Sequence, residues 1–323
     1  MIEHPNDFLL LSRCHAIIEE IRGDPVPRIL FISRATGAAK GAEKGVGIFP
    51  SSFNPITNGH MAILRRAAGI KTFGEIVLIL DTQAMDKEVF GAILEDRLLM
   101  LHVLFEDHPR FSVGVSNRGL FLTKAELLRE MYPKGTDITF IVGFDTLVRV
   151  FDAKYYEDLE GDLNRLFDCC TFMVANRGDL GREALQRLMA SCNNVRFEGK
   201  VRFFGIPNYA ARISSSRVRE AVMEGRSLVR LVPEGVKDFI EKANLYGSDR
   251  GVDPRGQRVN LYDLRTQVLR RLYALYPDGR VGIDIGEIVD RVVEGMKNGR
   301  RLETLMDSVT ALMPMTGERV GNN

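Results

Sequence analysis

Apolar runs that alternate with helical patterns constrain the fold of this chain more than any other feature. The runs from Glu75 to Asp81 and from Ile138 to Gly143 are almost wholly apolar, which is typical of strands covered on both faces. Further strands are predicted at 111–115, 171–175 and 201–204, with helices at 94–105, 124–131 and 181–190. The alternation predicts an α/β fold, a Rossmann-like doubly wound parallel sheet with helices on both faces.

Residues 46–68 read as a strand, a turn rich in Gly, Ser, Asn and Pro, and a helix whose first turn contains His60. A helix N-terminus leaves backbone N–H groups unpaired and carries about half a positive charge. A phosphate is readily bound there, and His60 would add a donor. Gly59 would let the chain approach a ligand closely. Because ligands of such sheets lie at the carboxyl ends of strands, we expect the site in the loops after Phe49, Asp81, Val142 and Val174.

A second candidate anion site opens a later helix. Ser214, Ser215 and Ser216 precede a helix that is predicted to run to about Met223. Hydroxyl groups at a helix start cap it, and together with free N–H groups they face an anion. Arg219 lies one helical turn after the serines and shares their face. The sequence therefore predicts two anion-binding helix starts about 150 residues apart.

The composition limits the partners. Lys and Arg total 44 against 43 acidic residues, so no net charge attracts nucleic acid or a membrane. No apolar run approaches the roughly 20 residues of a membrane span, and no signal-peptide layout opens the chain. The four cysteines lack metal-ligand spacing and are expected to be reduced packing residues, with the pair Cys169 and Cys170 on opposite faces of a strand. A cytoplasmic protein is expected.

The segment from Ser52 to His60, Ser-Phe-Asn-Pro-Ile-Thr-Asn-Gly-His, closely resembles the signature of nucleotidyltransferases with an H-x-G-H or T-x-G-H motif. Among them it is most similar to the nicotinamide mononucleotide adenylyltransferases, and Thr57 stands at the first His position. The segment from Ile213 to Arg219 resembles the I-S-S-T-x-x-R motif of the same family. The resemblance covers residues 45–246 and implies that ATP and nicotinamide or nicotinate mononucleotide give a dinucleotide and pyrophosphate.

The resemblance also implies roles for individual residues. The catalytic group would be His60, Thr57, Lys87 and Arg219. ATP would be bound by Ser52, Phe53, Gly59, His60, Ser214, Ser215, Ser216 and Arg219. The mononucleotide would be bound by Ser52, Phe53, Gly143, Asp145, Tyr155 and Arg177. Mg²⁺ would arrive with ATP and be coordinated mainly by phosphate oxygens, with no protein metal site.

Several of these assignments have a plain structural alternative. Asp145 precedes a helix and could simply be its N-cap. Relatives carry a tryptophan that stacks on the pyridine ring, whereas this chain has no Trp, so Tyr155 or Tyr156 would supply the aromatic face. Arg177 could bind a phosphate in a bidentate manner. Lys87 and Arg177 could equally be surface residues.

The remaining segments lie outside the resemblance. Residues 1–45 are predicted to hold a helix at 6–22, a strand at 28–33 and a linker, and residues 46–247 form the nucleotidyltransferase domain. Pro233 is expected at the first position of that domain's last helix. After a linker at 248–258, residues 259–323 form a helical extension with helices at 261–276, 285–296 and 301–313, expected to serve packing or homo-oligomer formation.

Three other functions stay open from the sequence. A phosphopantetheine adenylyltransferase would share Pro-Ile-Thr-Asn-Gly-His but would usually carry Asp at position 54. Another nucleotidyltransferase, such as a cytidylyltransferase, is a more distant alternative. A nucleotide-binding regulator without catalysis would use the same pocket, with the helical extension as its output.

Overall fold

The computed structural model of the protein describes residues 5–36, 45–82, 91–191, 193–247, 250–252, 258–277, 279 and 281–309. The strands are β1 Ile29–Ser33, β2 Gly45–Ser51, β3 Phe73–Asp81, β4 Phe111–Ser116, β5 Ile138–Gly143, β6 Thr171–Ala175, β7 Val201–Phe204, β8 Arg250–Val252 and β9 Arg258–Asn260. The helices are α1 Phe8–Arg22, α2 Asn58–Ala68, α3 Leu94–Phe105, α4 Phe121–Met131, α5 Phe144–Val150, α6 Leu159–Cys169, α7 Arg182–Met189, α8 Asn208–Ala211, α9 Ser215–Met223, α10 Glu234–Lys242, α11 Leu261–Leu275, α12 Ile285–Lys297 and α13 Leu302–Asp307.

Seven strands form one sheet in the order β1-β4-β3-β2-β5-β6-β7. All neighbours pair in parallel except β1, which pairs antiparallel to β4 at the edge. The chain winds outward from β2 through β3 to β4, then crosses to β5 and winds the other way to β7. The predicted doubly wound sheet is confirmed, and the strand order reverses between β2 and β5, where ligands of such folds bind.

Side chains of β3 alternate between two hydrophobic cores, one on each face of the sheet. Ile76, Leu78 and Leu80 pack with α1, α2, α3 and the C-terminal helices, while Val77 and Ile79 pack with α4, α5 and α6. Successive side chains of a strand point to opposite faces, so a strand buried on both faces must be apolar throughout. The apolar runs in the sequence follow directly from this arrangement.

The two terminal regions pack against each other and against the sheet-forming part of the chain. Besides the contribution of β1 to the sheet, the ring of Phe8 in α1 stacks on Tyr273 in α11 with centroids 5.6 Å apart. Arg265 in α11 forms a buried ion pair with Asp96 at 2.9 Å. The Tyr262 hydroxyl donates to the same carboxylate at 2.8 Å. The packing role expected for the C-terminal helices is visible in these contacts, while the division into three domains stays a proposal.

Four local predictions differ from the structure. Cys169 ends helix α6 and Cys170 follows it, so the pair does not lie within a strand. Pro233 is the N-cap of α10 and not its first helical residue. The predicted linker at 248–258 contributes to an antiparallel pair, β8 with β9. Helix α13 ends at Asp307, and residues 310–323 lie outside the described residues, as does most of the linker before β2. Across the described residues, no helix has the length and apolar character needed to span a bilayer.

Candidate active site

A cavity of about 460 Å³ opens at the carboxyl ends of the parallel strands, around the point where the strand order reverses. It is lined by the ends of β2, β3 and β5, by the segments that follow β2, β4, β5, β6 and β7, and by the start of α9. The predicted site residues on its wall are Ser52, Gly59, His60, Gly143, Asp145, Tyr155, Arg177, Ser214, Ser215, Ser216 and Arg219. The two motifs that are far apart in sequence therefore meet at one cavity.

His60 is held by the start of its own helix. Thr57 is the N-cap of α2, and its Oγ1 accepts from the backbone N–H of His60 at 3.3 Å. In return, the backbone N–H of Thr57 donates to Nδ1 of His60 at 3.0 Å. This reciprocal pair is a capping box, in which His takes the place usually held by Glu or Gln. The imidazole is thus fixed at the N-terminus of α2.

The same contacts fix the protonation of the ring. A backbone N–H can only donate, so Nδ1 must be an acceptor, and a neutral imidazole then carries its proton on Nε2. Burial, together with the positive charge of Arg177, lowers the pKa of His60 to about 4. At neutral pH His60 is therefore an uncharged donor on the cavity wall.

Thr57 and Phe53 lie behind His60 and not on the cavity wall. Thr57 is fully buried, and its hydroxyl is engaged with His60. The Phe53 ring is buried and packs edge-on against His60 at 5.4 Å between centroids. Thr57, expected among the catalytic residues, is thus buried behind His60 and contacts the imidazole, and its catalytic role stays a prediction.

Gly59 is required by close packing. A Cβ at this position would lie 2.9 Å from the backbone oxygens of both Ala210 and Ile213. Any side chain would push α2 away from the segment that leads into α9. Glycine at position 59 therefore allows the two helix starts to approach each other.

The start of α9 is tied to the loop after β2 by two hydrogen bonds, one from Ser215 and one from Arg219. Ser215 Oγ donates to the carbonyl oxygen of Pro55 at 2.8 Å. The Arg219 guanidinium donates to Asn54 O at 2.7 Å and to Ser216 Oγ at 3.3 Å. Ser214 caps the helix by accepting from the N–H of Arg217. Capping explains Ser214, while Ser215, Ser216 and Arg219 place hydroxyls and a cation beside the His60 loop.

Asp145 and Arg177 face each other across the ends of β5 and β6. Arg177 Nε lies 3.9 Å from Asp145 Oδ2, and Arg177 Nη1 donates to Ile213 O at 2.7 Å. The N-cap of α5 is Gly143, without a side-chain cap bond, so Asp145 is not the N-cap. A Cβ on Gly143 would lie 2.8 Å from Asp145 Oδ1, and glycine there leaves room for the carboxylate.

Tyr155 and Tyr156, the two tyrosines expected to supply an aromatic face in place of tryptophan, both lie on the cavity wall. Tyr155 lies in a short 3₁₀ turn, with Lys154 Nζ 4.6 Å from its ring centroid. Tyr156 donates its hydroxyl to Val150 O at 2.6 Å. Its hydroxyl is thereby used to hold the loop, whereas both rings remain part of the cavity lining. Lys87 lies outside the described residues.

Sequence reasoning missed three features of the wall. Arg97 is only 2% exposed and donates to Ala92 O at 2.7 Å. Phe121, at the start of α4, contributes an aromatic ring. Asp81 carries a carboxylate whose Oδ1 lies 2.9 Å from Nζ of the buried Lys124. An acidic residue at the end of an apolar strand was a usable signal for Asp81, but nothing local pairs it with Lys124.

The described part of the wall groups side chains that suit an anion better than a metal ion. Within the ranges that the structure describes, no three residues of the types His, Cys, Asp and Glu lie together so as to hold a metal ion. The site instead offers helix N-termini, hydroxyls, one neutral imidazole and guanidinium groups. These are donors suited to phosphate oxygens.

Comparison with known proteins agrees with this chemistry. A protein-family model described as cytidylyltransferase-like matches residues 48–221, which are more than half of the 323 residues. The fold and the phosphate-directed donors define a nucleotidyltransferase. The chain belongs to the cytidylyltransferase-like family.

Relatives with more specific names are similar over the same region. A Corynebacterium glutamicum protein named nicotinate-nucleotide adenylyltransferase is 31% identical over 224 residues, covering 66% of this chain and 94% of the relative. A Schizosaccharomyces pombe protein named nicotinamide mononucleotide adenylyltransferase is 25% identical over 222 residues, covering 64% and 87%. The solved Plasmodium falciparum nicotinic acid mononucleotide adenylyltransferase complexed with NaAD has a TM-score of 0.50 at 19% identity, covering 63% and 97%. This structural likeness shows the shared fold.

Proposed function

We propose that the protein is an adenylyltransferase that joins the AMP part of MgATP to nicotinamide or nicotinate mononucleotide and releases pyrophosphate. The observation that carries the proposal is the convergence of His60 and the Ser214–Arg219 helix start on one cavity. The names of the similar proteins, which include both the nicotinate and the nicotinamide form, support a pyridine mononucleotide as acceptor.

The polyphosphate of ATP fits the α9 side of the cavity. Ser215, Ser216 and Arg219 supply hydroxyls and a guanidinium there, and burial together with the charge of Arg219 lowers the pKa of Arg97, which places a second cation nearby. The neighbouring wall contains the largely buried Ile206, Ala210 and Ile213, an apolar surface suited to a nucleobase. ATP is therefore proposed to lie with its adenosine along this wall.

The acceptor is proposed to enter from the opposite side of β2. In an in-line displacement the attacking oxygen and the departing pyrophosphate lie on opposite sides of the α-phosphate. If pyrophosphate leaves toward α9, we propose that the mononucleotide approaches from the ends of β3 and β4, where Asp81, Leu120 and Phe121 form the wall. We call this part the β3–β4 wall.

This placement revises the mononucleotide roles expected from the sequence for residues at the ends of β5 and β6, Asp145 and Arg177 among them. Asp145 and Arg177 follow β5 and β6, on the side of β2 away from the β3–β4 wall. Their bonds connect them to Ile213, just before the serines. We therefore propose them for the ATP side, with Asp145 accepting from ribose hydroxyls, in place of the mononucleotide contacts expected from the sequence.

The chemistry requires positioning more than proton transfer. A phosphate monoester has a second pKa of about 6, so the mononucleotide is mostly ionised at neutral pH and already nucleophilic. Alignment of two bound reactants can contribute on the order of 7–11 kcal/mol. His60 is proposed to donate its Nε2 proton in a hydrogen bond to an α-phosphate oxygen, where negative charge develops. The neutral imidazole is sufficient for this role, because the role requires only the N–H donor at Nε2.

A substrate-dependence assay tests this proposal. Pyrophosphate release is measured with MgATP alone, with each mononucleotide alone, and with MgATP plus nicotinamide mononucleotide, nicotinate mononucleotide or phosphopantetheine. Turnover that requires MgATP and a pyridine mononucleotide, with the dinucleotide as product, is the expected result. Turnover with phosphopantetheine alone among the acceptors, or binding of ATP with no turnover by any acceptor, would contradict it.

A further inference from the structure

The β3–β4 wall contains an ion pair whose two charges are presented very differently. Lys124 Nζ lies 2.9 Å from Asp81 Oδ1 and donates to Gly119 O at 2.7 Å. The Lys124 side chain is 1% exposed, whereas that of Asp81 is 21% exposed and lies on the cavity wall. The Lys124 ammonium is therefore buried behind the Asp81 carboxylate, and the carboxylate forms the surface of the wall at this point. A ligand in the cavity meets an acceptor here, not a cation.

The pair is built to keep this carboxylate in place. Asp81 is the last residue of β3 and pairs with Ser116 in the parallel register of β4, so its backbone is fixed by the sheet. Lys124 lies on the first turn of α4, and its second bond to Gly119 O leaves it little freedom. An ion pair between a strand end and a helix start holds the carboxylate more firmly than a loop residue could.

The cations on the cavity wall lie elsewhere. Arg97 is close enough to Arg219 for the two charges to interact, so it belongs with the polyphosphate contacts. Arg149 follows β5 in α5, and Arg177 follows β6. Among the described residues of the β3–β4 wall, the accessible charged group is thus the Asp81 carboxylate.

Nicotinamide mononucleotide and nicotinate mononucleotide differ in one group, and such a wall would bind them with different affinities. The carboxamide of nicotinamide mononucleotide is neutral and offers N–H donors, whereas the corresponding group of nicotinate mononucleotide is an anion with acceptors alone. A donor facing a carboxylate gains a charge-assisted hydrogen bond. Two carboxylates facing each other repel, and like-charge juxtaposition is strongly unfavourable in a partly buried site.

Resting on the proposed function, we infer that Asp81, held by Lys124, is a specificity-determining residue that selects the carboxamide over the carboxylate form of the pyridine mononucleotide. The aromatic ring of Phe121 beside it supplies an apolar surface for the base. Several similar proteins are named for nicotinate nucleotide. At an overall identity near 30%, individual residues of the β3–β4 wall can differ between those proteins and this one, so their names do not conflict with the inference.

The test compares kcat/KM for the two mononucleotides at saturating MgATP. The wild-type protein is expected to prefer nicotinamide mononucleotide by at least about tenfold, the ratio that one charge-assisted hydrogen bond supports. The Asp81→Asn variant keeps the shape but presents an amide that can donate to a carboxylate. Its preference is expected to fall by at least about tenfold. The ratio does not depend on how much of a variant is correctly folded.

The matched control is Asp158→Asn, which removes one carboxylate at the N-cap of α6, outside the residues that line the cavity, where Asn can still cap. It should leave the ratio unchanged. A wild-type preference for nicotinate mononucleotide would overturn the inference without any variant, even if Asp81→Asn fails to fold. An unchanged ratio in Asp81→Asn, or a change in KM for ATP alone, would also overturn it. Failure of both mononucleotides to react would instead refute the proposed function.

Discussion

The backbone N–H of Thr57 donates to Nδ1 of His60 at 3.0 Å, and this bond decides what the imidazole can do. It leaves the proton of the neutral ring on Nε2. The returning bond from the His60 N–H to Thr57 Oγ1 closes the pair. A residue that sequence motifs present as a reactive histidine is therefore also the N3 residue of a capping box, and its structural and chemical roles can be separated by substitution.

Removal of the Thr57 hydroxyl should weaken this arrangement from the structural side. Thr57→Val keeps the shape but leaves the His60 N–H without its acceptor, so we expect a loss of about 1 kcal/mol in the free energy of unfolding and a reduced kcat. Thr57→Ser keeps the oxygen and should stay near wild type. Urea unfolding and steady-state kinetics measure the two effects. Equal behaviour of Val and Ser would show that the hydroxyl does not hold His60.

Arg219 should be sensitive even to replacement by lysine. Its guanidinium bridges Asn54 O and Ser216 Oγ, and an ammonium group cannot reproduce that fork. Arg219→Lys is expected to raise KM for ATP by about tenfold.

The control for Arg219 is Arg217→Lys on the same helix, where the side chain is exposed and outside the cavity wall. It should change KM for ATP little. Similar KM values for the two variants would remove Arg219 from the proposed polyphosphate site.

The lowered pKa of His60 predicts a specific dependence of stability on pH. The ordinary pKa of His is 6.5 and the folded value is about 4, so between these values the unfolded chain binds a proton that the folded chain does not. The contribution of His60 to the free energy of unfolding is then fully present above about pH 6.5 and is lost as the pH falls toward 4. His60→Gln cannot titrate in this range. Its loss of unfolding free energy between pH 7 and pH 5 should be smaller than that of wild type, and an equal or larger loss would contradict the assignment.

The contact of the C-terminal helices with α3 can be tested by two hydroxyl deletions on one helix. The Tyr262 hydroxyl donates to Asp96 Oδ2 and accepts from the N–H of Ile93, both at 2.8 Å. Tyr262→Phe leaves both partners short of a bond and should cost about 1–3 kcal/mol in unfolding free energy.

The control for Tyr262 is Tyr273→Phe. The Tyr273 hydroxyl is buried without a hydrogen-bond partner among the residues that the structure describes, so its removal should be neutral or stabilising. Thermal unfolding of both variants measures the difference. A greater loss in Tyr273→Phe would contradict this account of how α11 is attached.

The sequence predicted the sheet well because its strands are short apolar runs that can be recognised from the local sequence. Runs such as 171–175 are apolar since both faces of the sheet are covered, and they match the observed strands. The position of β1 was not predictable in the same way. Its pairing with β4 joins residues eighty or more positions apart, and nothing in its short pattern specifies that edge.

The site was predictable where its residues act within one helix turn. His60 and the Ser214–Arg219 segment were recognised because each belongs to a short motif whose residues are close together along the chain. The Asp81–Lys124 pair joins a strand end to a different helix, and such a pair exists only after the sheet has formed. The buried position of Thr57 was likewise set by packing against its own helix start, which the motif alone does not show.

One comparison tests the central claim most directly, namely kcat and melting temperature of His60→Gln beside His60→Ala. Gln at N3 can still accept from the Thr57 N–H and complete the capping box, but it lacks the imidazole Nε2 donor. We predict that His60→Gln melts close to wild type while kcat for adenylyl transfer falls a hundredfold or more, and that His60→Ala loses both. A His60→Gln enzyme with most of its activity would contradict the account.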